Sequence, residues 1–233
     1  MNPSKAGALQ QDVTRILQSL DLPDALDNQT PSLVLASGLP GSGKSTFCRR
    51  LAAETGAIVL ESDALRRLLF AQPTHETRES ARLFAALWEA ARTLLQRNVS
   101  VIIDATNLKQ TDRRPAYEVA GKTGARLLLL RFEAPESVIE RRLAQRALTP
   151  EAAGNSTAGI AVYRRMAETA EPLREAHWTI DTSDFEATES ALSAMVAALC
   201  SGRTRPETEI STRDLVGVAG RRNGATRRGG PVS

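Results

Sequence analysis

The chain has 233 residues, 42% of them hydrophobic and only 4% aromatic, and a formal net charge of +3. That length suits one α/β domain with tails, or at most two small domains, around an aliphatic core. Cys48 and Cys200 stand at no metal or redox spacing, the start "MNPSKAGALQQDV" lacks a signal-peptide pattern, and no apolar run reaches a membrane span; a reduced, cytoplasmic setting is the plain expectation.

Residues 1–31 read as a helix and a linker. Leu9, Val13, Ile16, Leu17 and Leu20 share one helical face, and Pro23 and Pro31 bracket a break. "SLVLAS" (32–37) is an apolar run of strand length, as in a strand buried on both faces. A helix follows at 44–55, a second strand at 57–62, and helices at 64–70 and 79–97. The last carries a Leu83, Phe84, Leu87, Trp88, Ala91, Leu94 and Leu95 stripe that reads as core packing. "VSVIID" (99–104) is a third strand, 111–122 a helix, and "ARLLLLRF" (125–132) a fourth strand. A helix at 135–147, a small polar loop at 148–159 and a helix at 160–170 make a lid over about 135–170. "HWTIDT" (177–182) is a fifth strand and 184–200 the closing helix of a domain spanning 32–200. Residues 201–233 hold seven Arg, no Lys and three acids. This tail carries +4 and leaves −1 for the body; it is expected to be disordered, and it could dock an acidic or RNA partner. Strands alternating with helices predict a parallel sheet with helices on both faces.

The turn after the first strand, Gly38-Leu39-Pro40-Gly41-Ser42-Gly43-Lys44-Ser45, fits the P-loop pattern G-x-x-x-x-G-K-[ST] between a buried strand and a helix. Its glycines let the turn from Gly38 through Pro40, Gly41, Ser42 and Gly43 curl around phosphate oxygens, with the N–H groups of its non-proline residues pointing inward, and the helix start adds its positive end. Lys44 reaches the β- and γ-phosphates of ATP, the Ser45 hydroxyl ligates Mg²⁺, and Thr46 contacts a more distal phosphate.

Two carboxylates bear on where the phosphate goes. Asp104 ends the third strand, a place for a residue that holds Mg²⁺ directly or through water. Ala105 follows it, where dedicated ATPases place a Glu to polarise water, and no N-K-x-D of the guanine-binding kind occurs. Asp63 follows the second strand, so it emerges on the sheet edge that carries the P-loop. A carboxylate there can take the proton of an acceptor hydroxyl; capping the next helix is its structural alternative. Arg66 lies one turn on, ready for an acceptor phosphate. On the lid helix Arg142 and Arg146 share a face beside the loop; Arg146 suits charge on the moving phosphoryl group and Arg142 the bound nucleotide. Arg141 reads as solvent-facing, Cys48 as a buried small residue, and His75 and His177 as surface or packing residues.

"GLPGSGKST", "SDALR", "VIIDATNLKQTDRR" and "RFEAPESVIERRLAQR" occur in the order and spacing of P-loop kinases, and over about residues 32–182 the chain resembles the kinase domain of polynucleotide 5′-kinase and the bacterial AAA-type kinases. It is also similar to zeta-toxin-like kinases and the seryl-tRNA(Sec) kinase group, which share fold and ATP chemistry but not a substrate. The resemblance implies a three-layer α/β/α sandwich with strand order 2-3-1-4-5 and a helical lid. Lys44 and Ser45 would bind ATP and Mg²⁺, Asp63 would be the general base for a 5′-hydroxyl, and Arg66 would hold the acceptor's phosphate. Thr106 and Asn107 would lie in the active-site cleft, and Arg146 would be the lid arginine. No phosphatase D-x-D-x-T sequence is present, and the near-neutral body offers no broad footprint for a long nucleic acid. Three acceptor readings stay open: a polynucleotide 5′-hydroxyl first, a small molecule close behind, and a sugar nucleotide third. The rival of another class is an ATP-gated binding protein, for which Asp63 would be dispensable.

Overall fold

The computed structural model describes residues 3–22, 30–148, 159–200 and 210–211. The sheet is parallel, in the order β2-β3-β1-β4-β5-β6, with β1 Ser32–Ser37, β2 Ile58–Glu61, β3 Val101–Asp104, β4 Arg126–Glu133, β5 Trp178–Asp181 and β6 Ile210–Ser211. The first five strands follow the expected order. β6 is a departure: two residues of the segment expected to be disordered pair with Trp178 and Thr179. The rest of 201–233, and the lid loop at 149–158, lie outside the described residues, so the expectations of disorder and loop mobility there have no structural counterpart.

Alternation along the strands divides the core in two. Leu33 and Leu35 of β1, Val101 and Ile103 of β3 and Leu129 of β4 face one layer. It is built from α1 Pro3–Gln18, α3 Ser62–Leu69, α4 Thr77–Gln96 and α5 Gln110–Thr123. Val34, Ala36, Ile102, Leu128 and Leu130 face the other, built from α2 Lys44–Thr55 and α8 Phe185–Cys200. Helix α4 buries Leu83, Ala86, Leu87, Ala90, Ala91, Leu94 and Leu95, the i, i+3, i+4, i+7 pattern of an amphipathic helix. Each large aliphatic side chain so buried contributes about 1.5–3 kcal/mol.

Helix α1, expected as a short helix ahead of the domain, packs into this core. Its Val13 and Ile16 are buried, and Asp12 takes both arms of Arg82 on α4, at 2.6 and 2.8 Å. Helices α6 Glu136–Leu148 and α7 Ile160–Glu168 fall in the segment expected as a lid. They meet each other through Ile139, Leu143 and Tyr163, and Arg164 donates to Glu140 at 2.9 Å. Among the described residues no helix is long and apolar enough to cross a membrane.

Candidate active site

In a parallel sheet every strand delivers its C-terminal residue to one edge. Glu61, Asp104 and Ala36 form one row there: Glu61 is the register partner of Asp104, and Asp104 that of Ala36. The chain then leaves β1 through the Gly-rich turn into α2. Gly41 and Gly43 hold left-handed backbone at φ 81 and 83. A Cβ on Gly41 would fall 2.9 Å from Ile139, and one on Gly43 would lie 3.1 Å from Thr182. Both positions need glycine for conformation and for space.

The turn sets Lys44 at the first position of α2, only 8% exposed, with its ammonium donating to the Leu39 carbonyl at 2.9 Å. Burial pulls its pKa down, and the carboxylate of Asp104 pushes it back up. Asp104 is 3% exposed. Burial raises its pKa; a hydrogen bond from Ser45 and the charge of Lys44 oppose that. Asp104 Oδ2 and Ser42 Oγ are buried without a hydrogen-bond partner. A buried carboxylate with one unsatisfied oxygen beside a serine hydroxyl is the donor set of a hard cation such as Mg²⁺. Among the described residues no group of three or more His, Cys, Asp or Glu side chains forms a metal cluster, so such a cation would rest on Ser45, Asp104 and a phosphate ligand. Thr46 is exposed at the next position.

Asp63 lies in the first turn of α3, half-buried, and the cap position falls to Glu61 instead. Its charge bears on Lys44, on Asp104 and on Glu61. Glu61, which sequence reasoning passed over, has its pKa raised by burial first and by Asp104 second. Arg146, half-buried, bears electrostatically on Lys44 and Arg142. The charges of Asp63, Asp104 and Arg146, from three other elements, thus all bear on Lys44.

Other expected site residues are occupied differently. Arg66, expected to face an acceptor phosphate, is buried; it pairs with Glu79 and donates to Ser80 Oγ at 3.2 Å. Glu79 arrives from α4 and also accepts from the backbone and hydroxyl of Thr74, at 2.7 and 2.9 Å, which hold its pKa down at about 2. Asn107, expected in the cleft, is 2% exposed and turns inward: its amide donates to Ala36 O at 2.7 Å, and its own carbonyl accepts from Ser37 Oγ at 3.0 Å. Thr106 is half-buried, and its carbonyl accepts from Gly38 N at 3.0 Å. Both therefore hold the base of the turn. Arg142 donates to Thr182 Oγ1 at 2.9 Å, to Thr182 O at 2.6 Å and to Gly41 O at 3.3 Å. Arg141 and His75 are exposed, while Cys48 and His177 are buried.

Two further residues join the site. Thr182 donates to Ser42 O at 2.9 Å, so the end of β5 is fastened to the turn. Arg113 on α5, 1% exposed, donates to the carbonyls of Leu108 at 2.9 Å, Asn107 at 3.2 Å and Pro172 at 3.1 Å. It stands inside the "DATNLKQTDRR" motif, yet nothing in the spacing marks it off from Arg114, which is exposed.

Residues 33–173 match a family described as an AAA domain. An uncharacterised protein of Mycobacterium tuberculosis is 31% identical over 165 residues, 66% of this chain; the chain spans about a third of that relative, 31% of its length. Among solved structures, a candidate kinase from Chloroflexus aurantiacus is similar at TM-score 0.59 and 22% identity, over 76% of this chain and 100% of that one. The Mycobacterium tuberculosis APS kinase CysC, in complex with AMPPNP and APS, is similar at TM-score 0.53 and 18% identity, over 72% of this chain and 98% of that one. At these identities the likeness is one of fold, that of P-loop kinases.

Proposed function

The chain belongs to this AAA domain family, and from that premise we propose that it transfers the γ-phosphate of ATP to a hydroxyl acceptor, with Mg²⁺ as cofactor. The observation that carries the reading is that Lys44 and Asp104 are both buried at the P-loop, with one Asp104 oxygen left without a partner; their charges act on each other, and that of Asp63 acts on both. Backbone N–H groups of residues 41–46 and the Lys44 ammonium hold the phosphates. Ser45 and Asp104 would hold Mg²⁺, which when bound neutralises phosphate charge. Asp63 takes the proton of the attacking hydroxyl as its oxygen bonds to the γ-phosphorus. The bond to the bridging oxygen breaks, and ADP leaves with the electron pair. Arg146 bears on the charge of the moving phosphoryl group from the lid.

Of the acceptors the sequence leaves open, a polynucleotide 5′ end needs a cation for its phosphate. Arg66, the residue expected to supply it, has its fork engaged by Glu79 and Ser80. That favours a small hydroxyl compound. The test is transfer from γ-labelled ATP to 5′-hydroxyl oligonucleotides beside nucleosides, sugars and small alcohols, with Asp63→Ala as control. Label on a small acceptor, lost in the variant while ATP still binds, supports the reading. Label on oligonucleotide ends alone would restore the polynucleotide acceptor, and transfer that survives in Asp63→Ala would remove Asp63 as base. Tight ATP binding with transfer to nothing would favour the ATP-gated binding protein.

A further inference from the structure

Helix α1 lies ahead of the family-matched residues 33–173, yet two of its side chains fasten the helix that carries Asp63. Arg15 donates to the Leu68 carbonyl at 2.6 Å. Leu68 is in the last turn of α3, where carbonyls have no partner within the helix and a cation meets the negative end of its dipole. Asp12, 1% exposed, takes both arms of Arg82. The guanidinium so oriented lies over the Phe70 ring, 5.2 Å from its centroid. Phe70 ends α3: its amide donates to Arg66 O at 2.9 Å. Beside these polar ties, Val13 and Ile16 of α1 share one buried apolar cluster with Leu65 and Leu69 of α3.

Helix α3 has eight residues, little more than two turns. A helix so short does not persist in water alone; it winds as a unit and is held by what it packs against. Its start is fixed by β2, through Glu61 at the cap position. Its buried side is held by Arg66, paired with Glu79 of α4. Its far end is held by α1, where Asp12 and Arg15 are three residues apart and share a face. Asp63 is in the first turn, so the direction of its carboxylate depends on the second turn staying wound and seated.

We propose that α1 is a positioning element of the phosphotransfer site: Asp12 and Arg15 keep α3 wound and seated, and so keep Asp63 where it takes the acceptor's proton. This rests on the reading of Asp63 as the base. Both are positioning residues that act through α3, Arg15 directly and Asp12 by way of Arg82 and Phe70. Lys44 and Ser45 stand on α2 and Asp104 on β3, whereas these ties run from α1 to α3 and α4. Their loss therefore spares the nucleotide site and falls on the base.

The test compares the full chain with its Arg15→Ala, Arg15→Lys and Asp12→Asn variants, each with Mg²⁺ and a non-hydrolysable ATP analogue. Arg15 is exposed, so its variants leave the buried core intact. Hydrogen exchange at the amides of residues 66–70, which close the turns of α3, should speed up about tenfold or more in Arg15→Ala and Asp12→Asn. It should speed up less in Arg15→Lys, whose ammonium still donates to Leu68 O. The Leu94 and Leu95 amides should not change, and affinity for the analogue should stay within about twofold. Transfer from γ-labelled ATP to the acceptor panel above should fall in the same order, with KM for ATP unchanged. Exchange in α3 no faster than in the wild type, exchange raised equally in the core, or unchanged transfer from a loosened α3 would each overturn the proposal. A wild type that binds the analogue but transfers to nothing would remove the phosphotransfer reading instead, and exchange at residues 66–70 would alone decide whether α1 holds α3.

Discussion

The hydroxyl of Thr182 donates to the Ser42 carbonyl at 2.9 Å and accepts from Arg142 at 2.9 Å, so one side chain joins the end of β5, the P-loop and the lid helix α6. Thr182→Val keeps the shape and removes both bonds. It leaves the Ser42 carbonyl without this donor and one Arg142 arm with only its longer bond to Gly41 O at 3.3 Å, at a cost of about 1–3 kcal/mol. The expected outcome is a lower unfolding midpoint together with weaker ATP binding, read by thermal unfolding and calorimetry. Unchanged ATP affinity would mean that the turn keeps its form without this tie.

Gly43 caps α2 in left-handed backbone and stands against Thr182. Gly43→Ala adds about 1–2 kcal/mol of backbone strain and presses a methyl group into Thr182. The turn relieves both by moving, which withdraws its N–H groups from the phosphates. ATP binding should fall by about tenfold or more, while the far-UV circular dichroism stays as it was.

Most of the fold was legible because its signals are local. Apolar strand runs, the α4 stripe and the Gly-rich turn each sit within a few residues of chain, and β2 announced itself as "AIVLES" just before the helix that carries Asp63. What escaped depends on partners far along the chain. Thr182 meets Ser42 across 140 residues, Arg142 meets Gly41 across 101, and Arg113 meets Pro172 across 59. The neighbourhood of Glu61 and Asp104 is a matter of register between strands 40 residues apart, which no local run of the sequence displays. Arg66 was placed correctly one turn from Asp63, but its partner arrives from another helix, and that partner decides what the guanidinium does. The family resemblance puts Asn107 in the cleft; with a positive φ of 45 its amide instead donates inward to Ala36 O on β1.

Glu79 makes the segment before α4 sensitive to acid. The hydrogen bonds from Thr74 lead in holding its pKa at about 2, against 4.5 when exposed, and the Arg66 guanidinium adds to them. A depressed carboxylate contributes stability that is fully present above the unfolded value and is lost as pH falls through the folded one. The urea midpoint of the protein should therefore drop between about pH 4.5 and pH 2 more steeply than that of Glu79→Gln, which cannot titrate. Parallel curves for the two proteins would show that Thr74 and Arg66 hold no such charge.

Arg113 carries the last prediction, because its fork spans two parts of the site. One arm serves Asn107 and Leu108, whose loop holds the end of β1; the other reaches Pro172, at the exit from the lid. The same junction is crossed by a backbone bond from Glu171 N to Leu108 O at 2.9 Å. Arg113→Met fills the volume but takes away the donor to the Pro172 carbonyl and one of two donors to Asn107 O and Leu108 O, which keep Ser37 Oγ and Glu171 N, at a cost of about 1–3 kcal/mol for the carbonyl left unpaired. Lysine has one point charge and no planar fork, so Arg113→Lys restores only part of the loss. Hydrogen exchange at the Glu171 amide should speed up in both variants, most in Arg113→Met, ahead of any change at the Leu94 and Leu95 amides in the core. If exchange rose equally everywhere, Arg113 would be a support of the whole fold rather than the joint between the P-loop strand and the lid.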